Sequence, residues 1–372
     1  MTATISNTQE RFLSKPTFAR IFEILQRRGY QVIGPTLDQE AIVYDRIDSI
    51  EDLPRGWTDE QEPGRYRLEK RDDDSLFGYV VGPHSWKRFL FPPTAKLAEA
   101  NKTEAGWQFQ TSDDDPPNYA FLGVRACELA AMRIQDRVFL AGPYVDANYQ
   151  RRRTSALVIA VNCTQAASTC FCTSMGSGPA CTSGFDLALT ELPDGFVLEA
   201  ATSEGEEILA ELETAEASIE QLQSAQVARQ RAVDQIERHL DTTDIRDLLL
   251  SNLEHPRWDD VAERCLSCTN CTMVCPTCFC SSVEEVSDLA HERVERVRHW
   301  DSCFNIDFSY VNGGNARDDI RSRYRQWLTH KLSSWHDQFG TSGCVGCGRC
   351  LTWCPVGIDL TEEVAAIRGD TS

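Results

Sequence analysis

The 372-residue chain is acidic and rich in cysteine, with a formal net charge of −20 and sixteen cysteines. The charge argues against a nucleic-acid partner, because an acidic surface repels phosphate. The hydrophobic content of 41% and charged content of 25% are those of a soluble globular protein, and no apolar run approaches the roughly 18 residues that a membrane helix needs.

The first residues, "MTATISNTQERFLSKPTF", lack the basic and apolar regions of a secretory signal. We therefore expect a cytoplasmic protein, in which thiols stay reduced and a disulfide framework is not formed. Metal ligation or redox chemistry is then the reason for so many cysteines.

The N-terminal part is predicted to be rich in β-structure with some helix. Residues 16 to 28 have the pattern of a short amphipathic helix. Four apolar segments separated by turn residues follow, at 30–34, 41–47, 66–71 and 77–82. The acidic runs at 71–75 and 112–117 are predicted to be solvated loops, the alternative being a docking face for a basic partner.

A strand–helix–strand unit is predicted between residues 119 and 163. "YAFLGVRACELAAMRIQDRVFL" (119–140) reads as a strand that ends near Gly123 and an amphipathic helix, and "SALVIAVNC" (155–163) reads as the next strand. Cys127 and Cys163 would then both follow the carboxyl ends of parallel strands, the edge at which open α/β sheets bind ligands.

The predicted fold class is α+β, with an N-terminal mixed α/β domain followed by a helical, two-cluster ferredoxin-like domain. The predicted bounds are 1–203 for the first domain, 204–256 for a packed helical connector and 257–372 for the cysteine-rich domain, with a largely helical insertion at about 283–340. The insertion carries apolar residues at helical spacing, which we assign to the core: Tyr324, Trp327, Leu328, Leu332, Trp335 and Phe339.

Two runs of cysteines have the spacing C-x2-C-x2-C-x3-C followed by proline, which is the pattern of bacterial ferredoxins with two [4Fe–4S] clusters. In that pattern the fourth cysteine of each run binds the cluster of the other run. The predicted ligands are therefore Cys265, Cys268, Cys271 and Cys354 for cluster 1, and Cys344, Cys347, Cys350 and Cys275 for cluster 2. A pair of zinc sites would not need the third cysteine or the proline of each run.

Eight further cysteines lie outside these runs. Cys127, Cys163, Cys170 and Cys172 are the candidates for a third [4Fe–4S] cluster at the strand ends, with buried free thiols as the alternative. Cys278, Cys280 and Cys303 are left unassigned, and Cys181 is predicted to be free. Four clusters are not excluded by the number of thiols.

The sequence contains no convincing nucleotide-binding loop. "MGSGPACTSG" (175–184) has a cysteine where a dinucleotide loop needs its third glycine, and no strand directly precedes it. We therefore expect the chain to bind no flavin or NAD(P) of its own.

Several segments resemble one known family, notably "VNCTQAASTCFCTSMGSGP" and "SRYRQWLTHKLSSWHDQFGTSGCVGCGRCLTWCPVGIDLTEE". Over roughly residues 75 to 370 the chain is similar to the iron–sulfur β subunit of cytosolic NADP-linked nickel–iron hydrogenases, or sulfhydrogenases. The electron-transfer subunit of anaerobic sulfite reductases is a more distant relative.

The resemblance implies a non-catalytic electron-transfer subunit of an oxidoreductase complex. Its partners would be the small and large subunits of the hydrogenase, together with a flavin- and NAD(P)-binding reductase subunit. The alternatives are the equivalent relay in a sulfite reductase, a sulfur- or polysulfide-reducing subunit that uses the third cluster, and a zinc-binding scaffold without redox activity.

Overall fold

The computed structural model describes residues 10 to 111 and 116 to 369. The N-terminal residues 1–9, and with them half of the stretch used to predict the absence of a secretory signal, lie outside this range, as do residues 112–115 of the second acidic run. No helix within the described ranges is long and apolar enough to span a membrane.

The described chain contains α-helices, β-strands and a few short turns of other helix types. The α-helices are α1 (Arg20–Arg27), α2 (Lys87–Leu90), α3 (Ala126–Leu140), α4 (Ala147–Thr154), α5 (Ser203–Glu211), α6 (Ile219–Asp234), α7 (Ile245–Ser251), α8 (Arg257–Arg264), α9 (Asn270–Met273), α10 (Ile320–Thr329), α11 (Trp335–Phe339), α12 (Arg349–Thr352) and α13 (Leu360–Gly369). A π-helical turn, His330–Ser334, joins α10 to α11.

The strands form two larger sheets and two hairpins. They are β1 (Arg11–Ser14), β2 (Gln31–Asp38), β3 (Ala41–Arg46), β4 (Trp57–Glu62), β5 (Arg65–Lys70), β6 (Thr94–Thr103), β7 (Gly106–Thr111), β8 (Tyr119–Val124), β9 (Leu157–Val161), β10 (Leu187–Leu192), β11 (Gly195–Ala200), β12 (Ala215–Glu216), β13 (Ser281–Ser287), β14 (Arg293–Trp300), β15 (Tyr310–Val311) and β16 (Gly314–Asn315). The α+β fold class is thus confirmed.

The main sheet has eight strands in the order β12-β1-β11-β10-β9-β8-β2-β3. Its centre, from β10 to β2, is parallel, and antiparallel strands flank it on both sides. The predicted strand–helix–strand unit is confirmed, because β8 and β9 are parallel neighbours joined by α3, with the short α4 added to the crossover.

Both faces of the central strands are buried, as parallel strands require. Along β8, Ala120 and Leu122 face the core that contains α1, whereas Phe121 faces the core that contains α3. This arrangement fixes the start of α3, and with it Cys127, at the carboxyl edge of the sheet.

The second sheet corrects one prediction. Residues 283–300 belong to the insertion that the sequence predicts to be largely helical, but they form β13 and β14, and β14 pairs with β6 of the N-terminal part. Pairing with a distant strand decides the structure of this charged segment, which local sequence does not reveal. Only residues 320–339 of the insertion are continuously helical, since residues 310–315 form the β15–β16 hairpin. The stripe from Tyr324 to Trp335 is buried core as predicted.

The connector residues 204–254 are largely helical, as predicted, but α6 does not pack mainly through its large apolar side chains. Ile219 and Val233 of α6 are exposed, whereas the alanines Ala225 and Ala232 are buried. The helix packs closely through small side chains instead. The division into three domains at 203 and 256 stays a prediction.

Three of the four apolar segments after α1 lie on strands, but residues 77–82 do not. This segment is buried without strand pairing, and charged side chains satisfy its backbone instead. The Glu191 carboxylate accepts hydrogen bonds from the backbone N–H groups of Leu76 and Phe77 at 2.7 and 2.8 Å, and from the Ser75 hydroxyl at 2.7 Å. Arg125 donates to the Phe77 and Tyr79 carbonyls at 2.8 and 3.0 Å.

This dependence on one buried carboxylate is testable. Glu191→Ala leaves three donors unpaired, so the free energy of unfolding should fall by about 3 kcal/mol or more. Urea unfolding followed by far-ultraviolet circular dichroism measures the change. Glu207→Ala is the control, because Glu207 is exposed and its ion pair with Arg28 is worth at most about 1 kcal/mol. Equal shifts in the two variants would contradict this account of the segment.

Candidate iron–sulfur sites

The four cysteines predicted for cluster 1 lie around one cavity, which we call site 1. The cavity is lined by Cys265, Cys268, Cys271 and Cys354, and its remaining wall is largely apolar, with Phe304 and Trp327 among the lining residues. Burial raises the pKa of the Cys271 thiol well above its usual value, and the neighbouring Cys265 and Cys354 raise it further. The structure thus brings together the ligands predicted from both runs.

The two cysteine runs fold alike at the backbone level. In the first run the residues two and four positions after the first cysteine, Ser267 and Thr269, have positive φ values of 49° and 70°. In the second run the same positions are Gly346 and Gly348, with φ of 63° and 77°. These left-handed residues turn each loop tightly around its cysteines.

The same turns direct backbone N–H groups at sulfur atoms. Ser267 N donates to Cys265 Sγ and Gly346 N donates to Cys344 Sγ, both at 3.4 Å. Ile358 N donates to Cys354 Sγ at 3.3 Å. Such bonds stabilise the thiolate form and tune the potential of an iron–sulfur cluster.

The second predicted ligand set, which we call site 2, consists of Cys344, Cys347, Cys350 and Cys275. Burial raises the pKa of the Cys350 thiol well above its usual value, and the other three cysteines of the set add to this. The four thiols are therefore near neighbours. Cys350 also lines the cavity of site 1, so the two sites share a wall.

A buried lysine belongs to site 2. Lys331 Nζ, in the π-helical turn, lies 3.2 Å from Cys275 Sγ and 3.6 Å from Cys278 Sγ. Burial alone would lower the pKa of Lys331, but the neighbouring Cys275 and Cys278 more than offset burial and raise it well above its ordinary value. A permanent positive charge therefore faces a predicted cluster ligand.

The third predicted set, site 3, gathers at the carboxyl edge of the main sheet as expected. Cys127 begins α3, Cys163 follows β9, and Cys170 and Cys172 lie on the next loop. Burial raises the pKa of the Cys172 thiol most, and the adjacent Cys170 and Cys163 raise it further. Cys181 also lies beside Cys163. Burial is the main reason why the pKa of Cys181 is raised, and the Cys163 thiol adds to it.

Site 3 packs directly on site 2. Phe171 N donates to the Gly346 carbonyl at 2.9 Å. A Cβ at Gly346 would lie 2.6 Å from the Phe171 backbone, and a Cβ at Gly348 would lie 2.5 Å from the Thr169 carbonyl oxygen. The glycines of the second run thus permit the close approach of the loop that carries Cys170 and Cys172.

A buried ion pair joins the two sites. Arg349 Nη2 donates to Glu128 Oε1 at 2.6 Å. Arg349 is next to Cys350 in the sequence, and Glu128 is next to Cys127. Both side chains are almost completely buried. Arg349 also donates to the Gly82 and His84 carbonyls, and Glu128 Oε2 accepts from Tyr44 and Trp86, all at 2.8 to 2.9 Å.

The three cysteine sets suit iron–sulfur clusters, whose inorganic core is positively charged. Burial raises the pKa of Cys271, Cys350 and Cys172 and so favours their neutral form, and a positively charged iron core would reverse that preference because it binds thiolates. Within the described ranges, no three His, Cys, Asp or Glu side chains converge as they would around a single metal ion. The buried Arg349 Nη1 has no hydrogen-bond partner among the described residues and lies near Cys347 and Cys127. A cluster sulfide at this position could accept a hydrogen bond from it.

The remaining unassigned thiols lie beside sites 1 and 2. The Cys278 thiol lies beside Cys275, and the Cys303 thiol lies beside Cys280. The neighbouring Cys303 thiol, opposed by burial, lowers the pKa of Cys280 to about 7.

Sequence reasoning missed the charged residues of these sites. Lys331 had a detectable signal, since it lies four residues from both Trp327 and Trp335 and thus interrupts an apolar helical stripe with a charge. Glu128 and Arg349 are each adjacent to a candidate cysteine, but nothing in the local sequence says that they pair across 221 positions.

Comparison with known proteins agrees with this geometry. Residues 264–358 match the family model of a 4Fe–4S dicluster domain. The chain is 28% identical over 354 residues to the β subunit of sulfhydrogenase 2 from Pyrococcus furiosus, a match that covers 94% of this chain and 96% of that protein. No solved structure matches the chain significantly. The resemblance to the hydrogenase β-subunit family is confirmed.

The position of Lys331 predicts its effect on the cluster of site 2. Lys331→Met removes a buried positive charge, so the cluster becomes harder to reduce. A unit charge a few ångströms away at an effective dielectric constant of about 20 contributes about 2 to 3 kcal/mol, or roughly 100 mV for one electron. Redox titration of the purified protein, followed by electron spin resonance, measures the fall in the midpoint potential of this cluster.

The control for this substitution is Lys96→Met on strand β6, since the partly exposed ammonium group of Lys96 pairs with Glu99. It should leave every midpoint potential unchanged. An unchanged or raised potential in Lys331→Met protein with full iron content would contradict the assigned role of Lys331.

Proposed function

We propose that this chain is the electron-transfer subunit of a cytoplasmic hydrogenase complex and carries a [4Fe–4S] cluster at each of sites 1, 2 and 3. One observation carries the proposal: the three cysteine sets adjoin one another in the order site 1, site 2, site 3, and every cysteine in them except Cys268 is buried or half-buried. Cys350 of site 2 lines the cavity of site 1. The pKa of Cys170 of site 3 is raised by burial, by Cys163 and by Cys347 of site 2, so sites 2 and 3 are also neighbours.

The ligand assignment follows from the gathered thiols. Cluster 1 would be held by Cys265, Cys268 and Cys271 with Cys354 of the second run, and cluster 2 by Cys344, Cys347 and Cys350 with Cys275 of the first. This exchange of the fourth ligand is typical of two-cluster ferredoxins. Cluster 3 would be held by Cys127, Cys163, Cys170 and Cys172.

The bound clusters would supply one-electron transfer at low potential. The residues of the chain bind and orient them, exclude water with Phe304 and Trp327, and adjust their potentials with the charges of Lys331 and Arg349. A close row of centres with no substrate chemistry of its own suits a relay.

One end of the row reaches the surface. Of the sixteen cysteines, all in the described part of the chain, only Cys268 of site 1 is exposed. Leu266 beside it is 62% exposed and Val356 is 39% exposed. We assign this face to contact with a partner subunit, so that electrons enter or leave the row through cluster 1.

The partners are inferred from the relative. A protein named as the β subunit of a sulfhydrogenase works with other subunits, and the similarity extends over nearly the whole of both chains. We propose a flavin- and NAD(P)-binding reductase subunit on one side of the relay and the small subunit of a nickel–iron hydrogenase, with its large subunit, on the other. The chain itself would be non-catalytic.

The relay is tested in the complex purified through a tag on this chain. Cys271→Ser at site 1 should reduce hydrogen-dependent NADP⁺ reduction to background, because the row is interrupted. Dye reduction by hydrogen and dye reduction by NADPH should each persist, because each uses one end of the complex. Cys181→Ser is the control and should leave all three rates unchanged.

Two results would contradict the relay. The first is an undiminished coupled rate in Cys271→Ser protein that has lost the iron of one cluster. The second is turnover of hydrogen, sulfite or polysulfide by the isolated chain, which would show that the chain is a catalyst in its own right.

A further inference from the structure

Three of the four thiols outside the proposed clusters lie together with two ammonium groups at the open end of the β13–β14 hairpin. The thiols belong to Cys278, Cys280 and Cys303, and the ammonium groups belong to Lys87 and Lys331. Lys87 Nζ donates to the Cys278 carbonyl at 3.0 Å and lies 3.9 Å from the centre of the Trp300 ring. Lys331 Nζ lies 3.6 Å from Cys278 Sγ.

The hairpin holds Cys280 and Cys303 side by side. Ser281, directly after Cys280, pairs with Trp300 in the ladder, and Asp301 N donates to the Cys280 carbonyl at 2.8 Å. Cys303 follows two residues later, near enough to Cys280 for its thiol to lower the pKa of Cys280.

Thiols as close to each other as Cys280 and Cys303 are not spaced as ligands of one cubane cluster. Ligands of a cube bind different irons and are held apart by the cube itself. Two neighbouring sulfurs are instead placed to form a disulfide after a small movement, since the bond is only about 2.05 Å long.

The pair lies beside the electron relay. The pKa of Cys303 is raised mainly by Cys280 and by burial, and to a smaller extent by Cys271 of site 1. Cys303 therefore lies near site 1. Cys278, two residues before Cys280, lies beside Cys275 of site 2. The Cys280–Cys303 pair is therefore close to both of the ferredoxin-type clusters that we propose.

The local charge favours thiolate chemistry. Lys331 and Lys87 both act to stabilise the thiolate of Cys280, in addition to the neighbouring Cys303 thiol. A thiolate next to a protonated thiol is the arrangement of a reactive dithiol, because the thiolate is the species that reacts.

We propose that Cys280 and Cys303 form a redox-active dithiol, a two-electron site that exchanges electrons with clusters 1 and 2. In reduction, the disulfide takes up one electron from each of the two reduced clusters and two protons, the S–S bond breaks, and two thiols form. In oxidation, both thiols release their protons, the S–S bond forms, and one electron passes to each oxidised cluster. The inference rests on the proposed relay, because the clusters supply and accept the electrons.

Differential thiol labelling of the intact iron–sulfur protein tests this. Anaerobic samples are poised at a series of potentials with viologen mediators and quenched in acid. Free thiols are then alkylated under denaturing conditions, and disulfides are reduced and labelled with a second reagent. The second label should appear on Cys280 and Cys303 together, with the ratio of disulfide to dithiol changing tenfold for every ~30 mV. Cys181 should carry only the first label at every potential.

Substitutions separate a dithiol from a cluster site. Cys280→Ser should leave Cys303 with the first label at all potentials, and Cys303→Ser should do the same for Cys280. Iron content, sulfide content and the spin-resonance signals of the clusters should match those of the unsubstituted protein.

Two outcomes would overturn the dithiol. One is that both thiols carry only the first label throughout the series, and the other is that either substitution lowers the iron content, which would make these residues cluster ligands. A failure of the relay itself would appear separately, as unsubstituted protein without iron–sulfur signals.

Discussion

The structure depends most on the buried ion pair between Arg349 and Glu128. A buried charge is costly unless it is paired and its remaining hydrogen bonds are satisfied. Glu128 meets this condition with four donors, from Arg349, Tyr44, Trp86 and its own helix start at Arg125. Because each partner adjoins a candidate cluster ligand, the same contact that joins the N-terminal sheet to the ferredoxin-like region also sets the position of site 3 relative to site 2.

Positive charge recurs wherever thiols are buried in this molecule. Arg125 contacts Cys163, Arg349 lies near Cys127 and Cys347, and Lys331 faces Cys275. The net charge of −20 therefore describes the surface and not the interior of the sites. Since a cluster with four thiolates carries net negative charge, these buried cations favour its binding and its reduction.

Short-range sequence patterns predicted the cysteine loops and the strand–helix–strand unit. They did not predict which distant segments pair with each other. The spacing of Cys265 to Cys275 predicts a tight loop, and the left-handed Ser267 and Thr269 form such a loop there. The strand–helix–strand pattern correctly places Cys127 and Cys163 after the carboxyl ends of two neighbouring parallel strands, β8 and β9. By contrast, β13 and β14 depend on β6, and residues 77–82 depend on Glu191, a partner more than a hundred positions away. Such partners are fixed only by the packed fold.

The number of clusters in the anaerobically purified protein tests the central claim most directly. Iron and sulfide analysis with Mössbauer spectroscopy should give three cubes per chain, falling to two in Cys172→Ser and staying at three in Cys181→Ser. Two cubes in the unsubstituted protein, or zinc in place of iron, would contradict the three-centre row.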